Sequence, residues 1–117
     1  MQTTGQEWLI DATGCDPARL RDVAALSALF EALVVGLSLK IVGTPQWHVF
    51  PPPGGVTGLA LLSESHLALH TFPEHGFAAL NVYCCRTRAP ADFAALLRQH
   101  LGATACDVRE LRRGGLR

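Results

Sequence analysis

The sequence has no C-x-x-C pair, no apolar run long enough to span a membrane, and no surplus of either charge. Each absence excludes something. Cys15, Cys84, Cys85 and Cys106 lack the spacing of a zinc knuckle. Ten basic residues balance ten acidic ones, and no basic stripe crosses the body of the chain, so a nucleic-acid partner is not expected. The cluster Arg109, Arg112, Arg113 and Arg117 reads as a solvated, frayed tail. The apolar stretch from Ala24 to Leu39 is interrupted by Ser27, Glu31 and Ser38, which makes it a core helix and not a membrane segment. The first apolar run lacks the basic flank and cleavage site of a signal peptide. The expectation is a cytoplasmic protein with reduced thiols, no membrane partner and no metal.

What is present is apolar: 49% of 117 residues are hydrophobic and 17% charged, which suits one globular domain spanning 1–117. Residues 6–12 have strand character. Asp16 is a suitable N-cap and Pro17 a suitable first helical residue. Apolar residues at helical spacing from Leu20 to Val34 then predict a helix over 17–38. Residues 39–50 look like an edge strand broken by Gly43 and Pro45, and 51–55 like a stiff loop. Strands are expected over 56–63, 66–72 and 77–84, a helix over 89–102 with Gly102 as its C′ residue, and a last strand over 104–111. The expected fold is α+β: a two-layer sandwich with a mainly antiparallel sheet and two helices on one face, order β-α-β-β-β-α-β.

Segments 66–72 and 77–84 flank "PEHG" and predict a hairpin closed by Phe72 opposite Phe77. That register puts His70 opposite Ala79, Ala68 opposite Asn81, His66 opposite Tyr83 and Glu64 opposite Cys85. Leu67, Leu69, Leu80, Val82 and Cys84 then form an apolar face, while His66, His70, Asn81, Tyr83 and Cys85 form a polar one. Ser65 is expected beside that polar face, so that a hydroxyl, a histidine and a thiol converge on one patch. A histidine on an open sheet face is more often a solvated side chain, and Cys84 is read as a small buried hydrophobe. His66 and His70 lie about 13 Å apart on an extended strand, too far for one shared metal ion.

The segment "SESHLALHTFPEHGFAALNVYCC" resembles the signature of the prokaryotic S-adenosylmethionine decarboxylases, and the likeness extends through "GGVTGLALL", "WHVF" and "GCD". These are self-cleaving, pyruvoyl-dependent enzymes of polyamine synthesis. The resemblance implies that Ser65 attacks the Glu64 carbonyl, that the chain splits into 1–64 and 65–117, and that residue 65 becomes the pyruvoyl cofactor. The pyruvoyl ketone would hold the substrate amine as a Schiff base and act as an electron sink for decarboxylation. It also implies that His70 is the processing base, that Thr57 supports processing, and that Cys85 is the proton donor. Phe50 and Phe72 match aromatics that flank adenine, and Glu74 an acid that accepts from ribose hydroxyls. Family members form dimers whose sites draw on both protomers. The sequence differs from the family pattern at Thr57, Phe72, His75, Asn81, Cys84 and Arg86. An arginine or ornithine decarboxylase of the same kind, and a non-enzymatic regulatory or binding member, are the alternative readings.

Overall fold

The structure, a computed structural model, describes residues 4–115. β1 (Gly5–Thr13) is followed by α1 (Pro17–Leu20) and α2 (Val23–Gly36). Four strands come next: β2 (Gln46–Val49), β3 (Val56–Leu62), β4 (Ser65–Phe72) and β5 (Phe77–Cys84). A 3-10 turn (Pro73–His75) joins β4 to β5. α3 (Phe93–Leu101) and β6 (Ala105–Arg113) complete the chain. The strands form one antiparallel sheet, order β2-β3-β4-β5-β1-β6.

The α+β sandwich is the expected one, but its order is corrected in two places. Four strands lie between the long helices, matching the strand-like segments 39–50, 56–63, 66–72 and 77–84 but one more than the order β-α-β-β-β-α-β counts. The helix expected over 17–38 is broken. Asp22 takes an extended backbone and accepts from the Ala24 N–H at 3.0 Å, so it caps a second helix where the apolar spacing had suggested continuity. The caps that were legible are in place. Asp16 accepts from the Ala18 N–H with Pro17 behind it, and Gly102 ends α3 in the left-handed conformation. α3 begins at Phe93, later than expected, because Asp92 accepts from the Ala95 N–H.

One face of the sheet carries the core. Trp8, Ile10, Leu67, Leu69, Leu80 and Val82 are buried against Leu29, Phe30, Leu33 and Leu97 of the helices. Burying such side chains stabilises by about 1.5–3 kcal/mol each. The Trp8 and Phe93 rings meet at 5.4 Å and 58°, joining β1 to α3.

The hairpin register is the expected one, from Phe72 opposite Phe77 through His66 opposite Tyr83. Gly76 makes this turn possible: its φ of 59° is left-handed, and an added Cβ would stand 3.2 Å from the Cys15 carbonyl oxygen. The reading of the arginine cluster as a frayed tail is corrected. Arg109, Arg112 and Arg113 lie on β6, paired with β1 along its length, and Arg113 donates to Glu7 at 2.8 Å. Arg117 lies outside the described residues.

Candidate active site

β3 and β4 are joined by the two-residue turn Ser63–Glu64, so Ser65 opens β4 directly opposite Leu62. This placement fixes where its side chain goes. Ser65 shares strand parity with Leu67 and Leu69, and it is buried on the helix side against its cross-strand partner Cys84. Its Oγ is buried with no hydrogen-bond partner. The Cys84 thiol, fully buried, is pushed up by desolvation, and the Arg88 charge and the Ser65 hydroxyl pull it partly back. The hydroxyl is thus beside the thiol without an aligned hydrogen bond to it.

The peptide carbonyl before Ser65 is held. Glu64 O accepts the Cys85 N–H at 2.7 Å. The Glu64 carboxylate pairs with Arg86 at 3.0 Å and Arg88 at 3.4 Å. Arg88 also donates to the carbonyls of Leu37 (3.3 Å) and Ser38 (3.1 Å), just past the end of α2. Its backbone N–H donates to the side chain of Gln6, which is buried. Cys85 lies just past β5 and is exposed.

A second group of residues surrounds a cleft of about 300 Å³ at the far end of β4. Phe50, Thr57, His70, Phe72 and Glu74 all line it. Thr57 Oγ1 and His70 Nδ1 are 3.1 Å apart across β3 and β4. Phe50 and Phe72 are 49% and 39% exposed, high values for large aromatics, and each ring also packs against a neighbour, His48 at 4.6 Å and Phe77 at 5.7 Å.

The structure therefore corrects the expected convergence. Ser65, Glu64 and Cys85 come together, and so do the five cleft residues, but the two groups are separate within one chain. Five residues of extended strand put Ser65 and His70 about 16 Å apart. Their side chains also leave opposite faces, because one position is odd and the other even along β4. The sequence reading had treated Ser65 as a residue ahead of the strand and not as its first member.

Two sets of neighbours escaped the sequence reading. Arg88 is one; nothing local marks it, since its partners Gln6, Leu37 and Glu64 are distant in the chain. The other is a polar chain on the open face. Arg113 donates to Glu7, Asn81 Nδ2 donates to Glu7 Oε2 at 2.6 Å, and Asn81 Oδ1 lies 2.8 Å from His66 Nε2. Since the Asn81 amide nitrogen is committed to Glu7, its oxygen accepts, and His66 carries its proton on Nε2. The Asn81 hydrogen bond, with help from Arg113, holds the Glu7 carboxyl below its ordinary value of 4.5. A depressed carboxyl contributes stability above its unfolded pKa and loses it as pH falls through the folded one. Glu7→Gln should therefore lower the urea midpoint at neutral pH, and the gap to the parent should close below about pH 4.5, checked by urea titrations across that range.

Residues 6–114 match the family model described as S-adenosylmethionine decarboxylase. An S-adenosylmethionine decarboxylase proenzyme 2 from Halalkalibacterium halodurans is 38% identical, over 97% of this chain and 89% of that one. An S-adenosylmethionine decarboxylase proenzyme from Thermococcus onnurineus is 35% identical, over 97% of this chain and 80% of that one. The crystal structure of the adenosylmethionine decarboxylase from Aquifex aeolicus VF5 superposes with a TM-score of 0.82 at 28% identity, covering 100% of this chain and 96% of that one.

Proposed function

The chain belongs to the S-adenosylmethionine decarboxylase family, and from that premise we propose that Ser65 is its self-cleavage residue and that each active site is shared between two copies. The protein is a self-processing, pyruvoyl-dependent decarboxylase that yields decarboxylated S-adenosylmethionine for polyamine synthesis. One arrangement supports Ser65 above all: a buried hydroxyl without a partner, next to a carbonyl already holding the Cys85 N–H. That N–H polarises the Glu64 carbonyl and is aimed where negative charge develops when Oγ adds to it. The same residues suit the pyruvoyl group, since residue 65 would bear it in the space that Oγ occupies beside Cys84. The pyruvoyl carbonyl supplies an electron sink for the bond to the departing CO₂.

The base for cleavage comes from a second copy in this reading. His70 is about 16 Å from Ser65 in its own chain and cannot serve it. The open sheet face exposes Leu59 (49%) and Leu61 (62%) beside the His70 strand, apolar surface that a second sheet would cover. A two-fold pairing of such faces brings the cleft of one copy towards the Ser65 turn of the other. In this reading His70 donates Nδ1–H to Thr57 Oγ1, 3.1 Å away, which leaves the Nε2 lone pair to take a proton. Phe50 and Phe72 stack on the adenine, and Glu74 accepts from the ribose hydroxyls. The exposed rings favour a nucleoside-bearing substrate over free arginine or ornithine, which have no flat surface to stack. A reducing cytoplasm suits the four free thiols; among the described residues no helix is long and apolar enough to cross a membrane.

Cys85 has two roles in this reading. Its backbone N–H serves cleavage, and its thiol gives a proton to the substrate α-carbon once CO₂ has left. Cys85→Ala keeps the N–H and loses the thiol. The variant should still split into 1–64 and 65–117, with decarboxylation lower by roughly 10²-fold. Intact mass together with CO₂ release from carboxyl-labelled S-adenosylmethionine, arginine and ornithine measures both. A parent chain that stays whole, or that releases CO₂ only from the amino acids, would contradict the reading.

A further inference from the structure

We propose that Arg86 and Arg88 form a receptor for the carboxylate that self-cleavage creates at Glu64, and that they accelerate the eliminating step which creates it. The proposal rests on the reading of Ser65 as the cleavage residue.

Cleavage at Ser65 has two chemical stages. In the first, Oγ bonds to the Glu64 carbonyl carbon, the C–N bond breaks, and the hydroxyl proton passes to the freed Ser65 nitrogen. An amide becomes an ester and an amine, and Glu64 gains no charge. In the second, a base removes the Ser65 α-proton, the Cβ–Oγ bond breaks, and its electron pair leaves on Oγ. Glu64 departs as a carboxylate that keeps the former serine oxygen. Residue 65 is left with a carbon–carbon double bond, shifts to the imine, and is hydrolysed by water with loss of ammonia to the ketone. The oxyanion of the first stage is transient and faces the Cys85 N–H; only the second stage leaves a lasting negative charge at Glu64.

The surroundings of Glu64 are built for more charge than the uncleaved chain supplies. One side-chain carboxylate faces two guanidinium groups, Arg86 at 3.0 Å and Arg88 at 3.4 Å. One positive charge is in excess there until the new carboxylate forms. Arg88 is also under-used. It is largely withdrawn from solvent, and its Nε is buried without an acceptor. Leaving a donor of a charged group unpaired is costly, and such a group calls for an explanation.

Among the described residues, the buried side-chain N and O atoms lacking a partner are this Nε and Ser65 Oγ. Ser65 pairs with Cys84 across β4 and β5, and Arg88 acts on the same thiol, so both groups lie around one side chain. Elimination turns that hydroxyl oxygen into a carboxylate oxygen, the acceptor that Arg88 lacks. Arg88 is anchored for this role by the Leu37 and Ser38 carbonyls and by Gln6, so it need not reorganise as charge develops.

The test follows newly synthesised full-length chain by intact mass and denaturing electrophoresis, with and without hydroxylamine. The ester has the mass of the uncleaved chain, but hydroxylamine splits it, leaving a Glu64 hydroxamate and an N-terminal Ser65. Arg88→Met should accumulate this ester, with ketone formation slowed at least about tenfold, and Arg88→Lys should recover most of the rate. Arg86 is 73% exposed, so Arg86→Met leaves the fold alone; it should accumulate the ester too, slowed by roughly threefold.

Wild-type ketone formation in both methionine variants overturns the proposal. So does an Arg86→Met chain that stays whole and resists hydroxylamine, since the arginines would then serve the first stage. A wild-type chain that never splits overturns the Ser65 reading beneath it, a result distinct from either of these.

Discussion

Ser65→Ala leaves the chain in one piece and without decarboxylase activity, because it removes both the nucleophile and the leaving oxygen whose elimination opens the way to the ketone. The fold survives the change. Ser65 Oγ is buried and unpartnered, so alanine removes a desolvated hydroxyl and no native hydrogen bond. Stability should be unchanged or higher by up to about 1 kcal/mol. Thermal melts and intact mass measure the two effects on one sample. A Ser65→Ala protein that still splits between Glu64 and Ser65 would remove the basis for the whole scheme.

His70→Ala comes next in size. General bases contribute about 10²–10⁴-fold to the steps they serve, so cleavage should slow by at least roughly 10² while the chain folds normally. His70 is exposed on the sheet face, and its one side-chain partner is Thr57, so truncation opens no core cavity. A time course of chain splitting by electrophoresis gives the rate. Cleavage at the parental rate would exclude His70 as the base.

The features that were legible in the sequence are those set by local chemistry. Asp16-Pro17 at a helix start, Gly102 at a helix end and the turn before Gly76 depend on neighbours a few residues away, and all are found. The hairpin register follows from closing one turn, because strand alternation propagates it from Phe72 opposite Phe77 to Ser65 opposite Cys84. Five of the residues that line the cleft are ones the family resemblance singled out, and the fold brings them together there.

What was not legible depends on starting points or on distant contacts. The face of Ser65 is decided by whether β4 begins at residue 65 or 66, and one residue inverts the answer. The break at Asp22 hides inside a continuous apolar rhythm, since an aspartate on a helix surface and an aspartate capping a new helix look alike in sequence. The arginines of β6 seemed a tail because no local signal shows that β1 will pair with them. Arg88 gathers Gln6, Leu37, Ser38 and Glu64 from three parts of the chain, a contact set no window of sequence contains.

The separation of Ser65 from His70 is the central structural result, and the proposal that a second copy completes each site is built on it. Co-expressing Ser65→Ala and His70→Ala chains under different tags tests it directly. In a mixed pair, one site combines the intact Ser65 of the His70→Ala chain with the intact His70 of the Ser65→Ala chain. The His70→Ala chain should then be split into 1–64 and 65–117 when co-purified with the Ser65→Ala chain, and at no more than its slow basal rate alone. If co-purified mixed pairs show no gain in cleavage over the His70→Ala chain alone, the shared site is contradicted.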